Sequence, residues 1–465
     1  MDGASRERRT RKEADSKQHA SPAGKVRRKG EGSTLRIRRR QPAAWAWCEM
    51  RAKPPLKNPI LRTRQPLTPP MPRSRAALGF TARAAEGLFA LQRCENCGHV
   101  QYPPADSCRA CLSEALLWTP MSGRGELLAH TTLRHSNDPF YRERLPWRLG
   151  LLRLEEGPVA VAHLHRDCPP PPAAVRVTAK LDKAGQGVLV ALPEDELGDM
   201  SADPRHGEFS CGPEHRKVLV TDGKSQVGQA LVRELAAAGA AVIWAGLAEP
   251  WKRYAGQDAI GKLPQVTVIP LDLTDERGIK RIGAELGGRV DILINNAEVH
   301  RTQGIVGSGG AEQARREMEV NYLGLLRLAQ AFGPAMRARG ADGGASATAW
   351  VNVLSVYALS NYPPQGTYSA SKAAALSLSQ CLRAEMQDAG IRVVNVFPGP
   401  IDEEWNQPLP PPKLAPERLA RDIVEALRDG IEDLFPGEVA KEWLERWKDN
   451  PKVLERELAL ESRAA

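Results

Sequence analysis

From Lys217 onward the chain alternates short apolar runs with longer stretches whose apolar residues recur every three or four positions. The runs Val218–Thr221, Ala241–Trp244, Thr267–Leu271, Ile292–Asn295, Trp350–Leu354 and Arg392–Phe397 read as strands, and Val227–Gly239 as the first helix. Strands apolar on both faces, each followed by helical spacing, predict repeated βα units and an α/β fold with a doubly wound parallel sheet. Pro416–Leu427 and Val439–Trp447 carry helical spacing among charges and are expected to cover the sheet or form a subunit contact. The pattern upstream is different. Gly125–Arg134, Trp147–Leu154, Val159–Leu164, Val175–Leu181 and Val188–Leu192 are short strands, broken at Gly157-Pro158, Pro169–Pro172 and Gly185–Gly187. Five such strands in close succession fit a small β-barrel. Ala82–Leu91 reads as a short helix, and residues 1–75 show no apolar periodicity at all. The expected organisation is a disordered basic tail over 1–77, a helix and metal-binding segment over 78–121, a barrel over 122–195, a linker over 196–215 and the βα region over 216–465.

Charge sharpens this division. The whole chain nets +9, but residues 1–75 hold 21 Lys/Arg against 6 Asp/Glu, so the other residues sum to −6. The basic balance belongs to the tail, which removes the composition argument for a nucleic-acid enzyme. The tail itself reads as a solvated extension, with Met50 and Met71 as alternative starts of translation. No stretch approaches eighteen uninterrupted apolar residues and no secretory signal opens the chain, so a cytoplasmic protein without a membrane span is expected. Cys48, Cys168, Cys211 and Cys381 are scattered singly, which suits a reducing compartment.

The other four cysteines stand as two C-x-x-C knuckles, Cys94/Cys97 and Cys108/Cys111, ten residues apart. That spacing supplies four thiolates to one tetrahedral Zn2+, and a site filled by thiolates leaves no open position for water, so the metal is expected to be structural. Leu91-Gln92-Arg93-Cys94, Gln101-Tyr102-Pro103-Pro104, Trp118, Ser122-Gly123-Arg124-Gly125 and Glu155-Glu156-Gly157-Pro158 surround the knuckles and the first strands. Together these motifs resemble the zinc-ribbon/OB-fold proteins that associate with thiolases and other acyl-CoA enzymes, over about residues 78–195. The resemblance implies an OB-fold barrel that docks a thiolase-like partner or handles CoA. His130, His135, His163 and His165 are read as polar strand residues and not as a second metal set.

In the βα region, Tyr368 and Lys372 are four residues apart and would share a helix face. A lysine ammonium beside a phenol favours the phenolate and draws its pKa down from near 10. Ser355, thirteen residues upstream, could hold a carbonyl or alcohol oxygen while the tyrosine moves a proton. Taken singly, Asn321 could cap or bridge a helix, Ser355 could serve a turn, and Tyr368 could be packing. In order and spacing, however, Asn295-Asn296-Ala297, Asn321, Ser355, Tyr368, Lys372 and Pro398-Gly399 resemble the short-chain dehydrogenase/reductases over about residues 216–460. The resemblance implies a Rossmann-type sheet and a ketone–alcohol oxidoreductase with Asn321, Ser355, Tyr368 and Lys372 as the catalytic tetrad. The cofactor, NAD or NADP, would meet Thr221, Gly223, Ser225, Val227 and Gly228 in the first loop, then Asp272 and Leu273 near the adenine. Asn295, Asn296, Ala297, Tyr368, Lys372, Pro398, Gly399 and Ile401 would complete its site. A homo-oligomer and an acyl-CoA or related carbonyl substrate, in lipid metabolism, are also implied.

Several positions depart from that family. Thr221-Asp222-Gly223-Lys224-Ser225-Gln226-Val227-Gly228 stands in place of Thr-Gly-x-x-x-Gly-x-Gly, with only the last glycine in register. Gln226 would put a side chain near the phosphates, and the Asp222 charge would cost roughly 3 kcal/mol per phosphate charge at about 5 Å and an effective dielectric of about 20. Ala245-Gly246-Leu247 has neither an acid nor an arginine for the ribose, so NAD and NADP are not distinguished. Glu298 replaces a glycine and Glu403 a threonine. Two functions remain open: a 3-oxoacyl-CoA/3-hydroxyacyl-CoA reductase, or a reductase-fold scaffold that has lost its cofactor and docks an acyl-CoA enzyme.

Overall fold

The computed structural model describes residues 68–70, 74–194, 203, 205–300, 304–306, 311–339 and 347–464. The tail up to residue 67 lies outside the described residues, as do residues 195–202 and 204 of the linker. The first helix, α1 (Arg75–Ala85), buries Phe80 and Ala84. It lies earlier than the Ala82–Leu91 the sequence suggests. Gly87 at φ +77 turns the chain out of the helix, and Ala90–Cys94 pairs as strand β1. β2 (Val100–Gln101) and β3 (Leu116–Pro120) flank β1 antiparallel, in the order β2-β1-β3.

β4 (Arg124–Leu133), β5 (Trp147–Leu154), β6 (Val159–Leu164), β7 (Ala173–Leu181) and β8 (Gly187–Pro193) close into a barrel in the order β4-β5-β6-β8-β7. A single helical turn, α2 (Pro139–Arg142), joins β4 to β5. All of its pairs are antiparallel except β6 with β8. Alternate residues such as Leu152 and Leu154, or Val175, Val177 and Ala179, fill the interior. Phe80 from α1 and Leu91 from β1 join the same cluster, so helix, ribbon and barrel share one core.

The second half is a seven-stranded sheet of β9 (Lys217–Val220), β10 (Val242–Leu247), β11 (Val266–Pro270), β12 (Ile292–Asn295), β13 (Ala349–Val353), β14 (Arg392–Val396) and β15 (Asp433–Leu434). Every pair is parallel, in the order β11-β10-β9-β12-β13-β14-β15. The helices are α3 (Gln226–Ala237), α4 (Gln257–Ile260), α5 (Glu276–Leu286), α6 (Glu312–Glu317), α7 (Gly324–Ala338), α8 (Gly366–Gln387), α9 (Pro416–Asp429), α10 (Gly437–Asp449) and α11 (Pro451–Ala464). Strand alternation divides the core in two. Leu219, Leu293, Trp350 and Val393 face α5, α7 and α8, whereas Val218, Val220, Ile294 and Val394 face α3 and α9. Trp443, Leu454 and Leu458 of α10 and α11 pack into the first cluster beside Tyr357 and Tyr368, so these helices cover the sheet. Strand order reverses between β9 and β12, which opens a crevice at the carboxyl ends of the strands.

The barrel meets the opposite edge. Arg392, first residue of β14, donates to the carbonyls of Leu181 (2.9 Å) and Phe209 (3.3 Å), and Cys211 Sγ donates to Thr348 O at 3.4 Å, just before β13. Lys180 Nζ reaches Asp429 Oδ1 at 3.0 Å, at the end of α9. Gly430 sits in this seam at φ +73, and a Cβ there would lie 2.4 Å from Arg392 Nη1 and 2.9 Å from Phe209 O. Among the described residues no helix is long and apolar enough to cross a membrane.

Candidate active site and zinc centre

The knuckle cysteines converge. Cys94 and Cys111 Sγ atoms are 3.6 Å apart, as are those of Cys97 and Cys108, and all four lie within 4.8 Å of one another. Sulfurs at about 2.3 Å from a tetrahedral zinc lie about 3.8 Å apart, so the four thiolates fit that ion. Gln92 and Gln101, both buried, brace the loop beneath the second knuckle. Gln92 Oε1 accepts from Gln101 Nε2 (3.0 Å) and from Ala105 N–H (2.9 Å), and Gln101 Oε1 accepts from Arg109 N–H (3.0 Å).

The crevice above the parallel sheet is an open cleft of about 490 Å3, whose walls include Ser225, Asp272, Ala297, Glu298, Glu403 and Trp405. The four expected catalytic residues are buried behind its inner wall, Tyr368 and Lys372 against Glu298 and Asn321 against Val299. Asn321 lies in a π-helical stretch, Met318–Leu323, that joins α6 to α7. Such a bulge rotates one side chain out of the helical register, a frequent device at functional sites. Asn321 Oδ1 accepts from Val299 N–H at 2.9 Å, and its Nδ2 donates to Val299 O and Ser371 Oγ, both at 2.8 Å. Ser355 follows β13 and accepts from Tyr357 N–H at 3.2 Å, while Tyr368 and Lys372 project from the first turns of α8.

What Tyr368 and Lys372 touch was not foreseen from their spacing. Tyr368 Oη donates to Glu298 Oε2 at 3.0 Å, and Lys372 Nζ meets the same oxygen at 2.8 Å and donates to Val353 O at 3.0 Å. The expected lowering of the tyrosine pKa is therefore reversed. Burial pushes Tyr368 well above the ordinary phenol value, and the Glu298 charge together with the hydrogen bond to it add to that; Ser355 opposes. Burial would raise Glu298, but Lys372 and then His300 outweigh it and hold the carboxyl well below the usual range. His300 is buried, its ring centroid 4.8 Å from that of Tyr368.

At the outer end, the phosphate-loop positions are laced to β12 and to each other. Thr221 Oγ1 donates to Asn295 Oδ1 (3.2 Å) and accepts from the N–H groups of Asn296 (3.1 Å) and Ala297 (3.0 Å). Asp222 Oδ1 accepts from Lys224 N–H (3.1 Å) and Ser225 N–H (3.4 Å), and Ser225 Oγ caps α3 by accepting from Gly228 N–H at 3.0 Å. Val227 N–H donates to Glu403 Oε1 at 3.2 Å. Thus amides that open α3, the natural receptors of an anion at a helix N-terminus, already hold side-chain oxygens. Burial, and then the charge of Glu298, push Glu403 up to about 7. Gly228 is required sterically, because a Cβ there would lie 1.6 Å from Asp222 O. Gln226 lines the cleft, as does Asp272, whose Oδ1 accepts from Thr274 N–H and Oγ1; Leu273 adjoins it. Gly223 packs against Ala245, Pro398 O accepts from Val356 N–H at 3.0 Å, and Gly399 abuts Val439. Ile401 bridges to Leu414 and lines a small pocket together with Glu403.

Family models match three consecutive stretches. Residues 81–116 match the ChsH2 rubredoxin-like zinc ribbon domain, 118–183 the ChsH2 C-terminal OB-fold domain, and 216–413 the short chain dehydrogenase family. The 1-deoxy-11-beta-hydroxypentalenate dehydrogenase of Streptomyces exfoliatus is 30% identical over 208 residues, 43% of this chain and 72% of that protein. The chain belongs to the short-chain dehydrogenase family. Its dehydrogenase domain is fused behind a zinc ribbon and an OB-fold. The mouse dehydrogenase/reductase SDR family member 7B is 33% identical over 190 residues, and the chain spans 56% of that relative's length. A short chain dehydrogenase from Burkholderia cenocepacia, solved in complex with NADP, is 32% identical, with 53% of this chain and 98% of that one covered at a TM-score of 0.48.

Sequence reasoning missed one residue of this cleft. β10 runs to Leu247, beyond the expected end at Trp244, and Glu249 past it lines the cleft with its carboxylate 2.6 Å from Lys252 Nζ. An acid about 20 residues after the glycine-rich turn is the signal that would have found it.

Proposed function

We propose that the dehydrogenase cleft interconverts a ketone and a secondary alcohol with NAD or NADP, on an acyl-CoA thioester of the 3-oxoacyl/3-hydroxyacyl class. The observation that carries this is the meeting of Tyr368 and Lys372 on Glu298, and of Asn321 with Val299, two residues of the cleft wall, with Ser355 beside Tyr368. A bound nicotinamide supplies or accepts the hydride. In this reading the chain's own part is proton handling: Ser355 and Tyr368 hold the substrate oxygen, and the phenol gives or takes its proton. Asn321, fixed through Val299 and Ser371, orders the helix beside them. Glu298 must first leave Lys372 and Tyr368. The substrate class rests on likeness to the acyl-CoA-associated ribbon–barrel proteins, whose barrel here would dock a thiolase-like partner or handle CoA in the cytoplasm. Since the barrel meets the sheet at the edge away from the cleft, docking fits that arrangement better than direct transfer of substrate within one chain.

A second reading, a scaffold that binds no cofactor, is favoured by the two carboxylates, Glu298 on the lysine and Glu403 on the α3 amide. Titrating the full chain with NADH and NADPH by nicotinamide fluorescence separates the two. Micromolar binding, with Tyr368→Phe lowering 3-oxoacyl-CoA turnover about 10²- to 10⁴-fold while leaving binding intact, supports the enzyme. No binding at millimolar cofactor would sink it and leave the scaffold.

A further inference from the structure

Outside the cleft and the ribbon, one cluster of side chains is left with unmet coordination. His165 follows the end of β6, and Asp203 and His206 come from the segment that leads towards β9. All three are buried, at 2%, 6% and 2% exposure, and one ligand atom from each lies within 4.8 Å of the others. The two imidazoles stand edge to face, with ring centroids 5.1 Å apart. Their nitrogens are decisive. His206 Nδ1 is buried with no hydrogen-bond partner among the described residues. With the proton on Nε2, Nδ1 has a lone pair to give. His165 Nε2 is likewise buried without a partner, while its Nδ1 lies 3.5 Å from Asp167 Oδ2. Since that Nδ1 accepts from Asp167 N–H at 3.3 Å, the proton sits on Nε2 in the metal-free site; an ion on Nε2 would shift it to Nδ1, beside the Asp167 carboxylate, in the carboxylate–histidine arrangement that orients metal ligands.

The carboxylate is held for the same purpose. Asp203 Oδ1 accepts from Arg205 N–H at 2.9 Å and Oδ2 from Arg166 N–H at 3.0 Å, which fixes the group and leaves a lone pair on each oxygen. Arg148 tightens the loop, donating to the carbonyls of His165 (3.0 Å) and Arg166 (2.6 Å). Its charge opposes a cation nearby, and the Asp203 carboxylate offsets it. A buried, unpartnered imidazole nitrogen is costly, so two of them beside one carboxylate call for a shared ligand. A closer approach of about an ångström would bring the donor atoms to the edge length of a tetrahedral site.

We propose that His165, Asp203 and His206 form a second metal site, for a divalent ion of the zinc class, with a fourth position open to water. The ion would pin the segment entering the dehydrogenase sheet to the barrel, fixing their junction. The spacing of His163 and His165 in the sequence could not show this, because His163 turns to Trp147, whose Nε1–H it accepts at 2.8 Å. The partners of His165 lie about forty residues on, in a segment without periodic pattern.

Full-length protein saturated with zinc, desalted and assayed by elemental analysis should retain about two ions per chain, and His165→Ala/His206→Ala about one. A single ion on the wild type, or equal content in the two proteins, overturns the proposal. Should the variant misfold, stepwise Co2+ loading of the wild type decides it. One equivalent must show thiolate charge transfer, and the other ligand-field bands without it. A second equivalent that also shows thiolate charge transfer, or none bound, overturns the site, and the histidines are then bridged by water.

Discussion

The inner and outer ends of the dehydrogenase cleft are altered in the same way and to different depths. At each, a glutamate stands in place of a smaller family residue and takes up a donor. Inside, Glu298 holds the Lys372 ammonium and the Tyr368 hydroxyl. Outside, the helix terminus has been recapped: Glu403 on Val227, Ser225 on Gly228, and Asp222 on the amides of Lys224 and Ser225. Losing glycines does more than crowd a loop with side chains. It substitutes the protein's own anions for a ligand's, and an anion already in place competes by both occupancy and repulsion.

The strongest way to break the symmetry between the two ends is to remove both glutamates. Glu298→Gly with Glu403→Thr should tighten NADH or NADPH binding on the order of 100-fold, since a carboxylate at about 5 Å from a phosphate charge costs roughly 3 kcal/mol at an effective dielectric of about 20. The single variants apportion the gain, read as dissociation constants by fluorescence titration. If the double variant binds no better than the wild type, the Asp222 turn itself, and not the glutamates, closes the site.

A finer division comes from pH. Glu403 titrates near 7 in the folded chain against an ordinary value of 4.5. Between the two values the folded state holds more protons than the unfolded one. Stability from this group therefore falls as pH rises from about 4.5 to about 7, and is flat outside that window. Cofactor phosphates favour the protonated carboxyl, so affinity should rise as pH falls through about 7, by at most about tenfold per unit. Glu298, held well below the usual carboxylate range, stays charged throughout. Dissociation constants at pH 6 and 8 should differ in the wild type and converge in Glu403→Gln. An unchanged slope in that variant would assign the titration to another group facing the loop, Asp222, whose carboxyl burial raises.

Much of this was legible in the chain. The βα alternation follows from apolar periodicity, and the knuckle spacing supplied four ligands that do converge. Glu298 and Glu403 stand out by position alone. What they touch does not, because Glu298 meets Tyr368 across 70 residues and Glu403 meets Val227 across 176. The rule that a lysine lowers its tyrosine assumed that the ammonium had no nearer anion. Helix α1 was misplaced for a local reason: Leu88 to Leu91 is apolar enough to continue a helix, and Gly87 carries the only break.

The adenosine end offers the mildest test, and it bears on whether the cleft still reads a nucleotide at all. Glu249 beyond β10 could accept from ribose hydroxyls, as an acid at that strand end does for NAD, while Lys252 beside it would suit a 2′-phosphate. Their pair is partly exposed, at 38% and 56%, so it contributes no more than about 1 kcal/mol. Glu249→Gln should therefore weaken NADH relative to NADPH by about fivefold or less. A shift of that size would show that the ribose is still recognised beside a recapped phosphate loop, which argues for a cleft closed by two movable carboxylates. No shift, in a protein whose Glu298→Gly/Glu403→Thr form binds cofactor, would mean that the outer end has lost its selectivity as well as its grip.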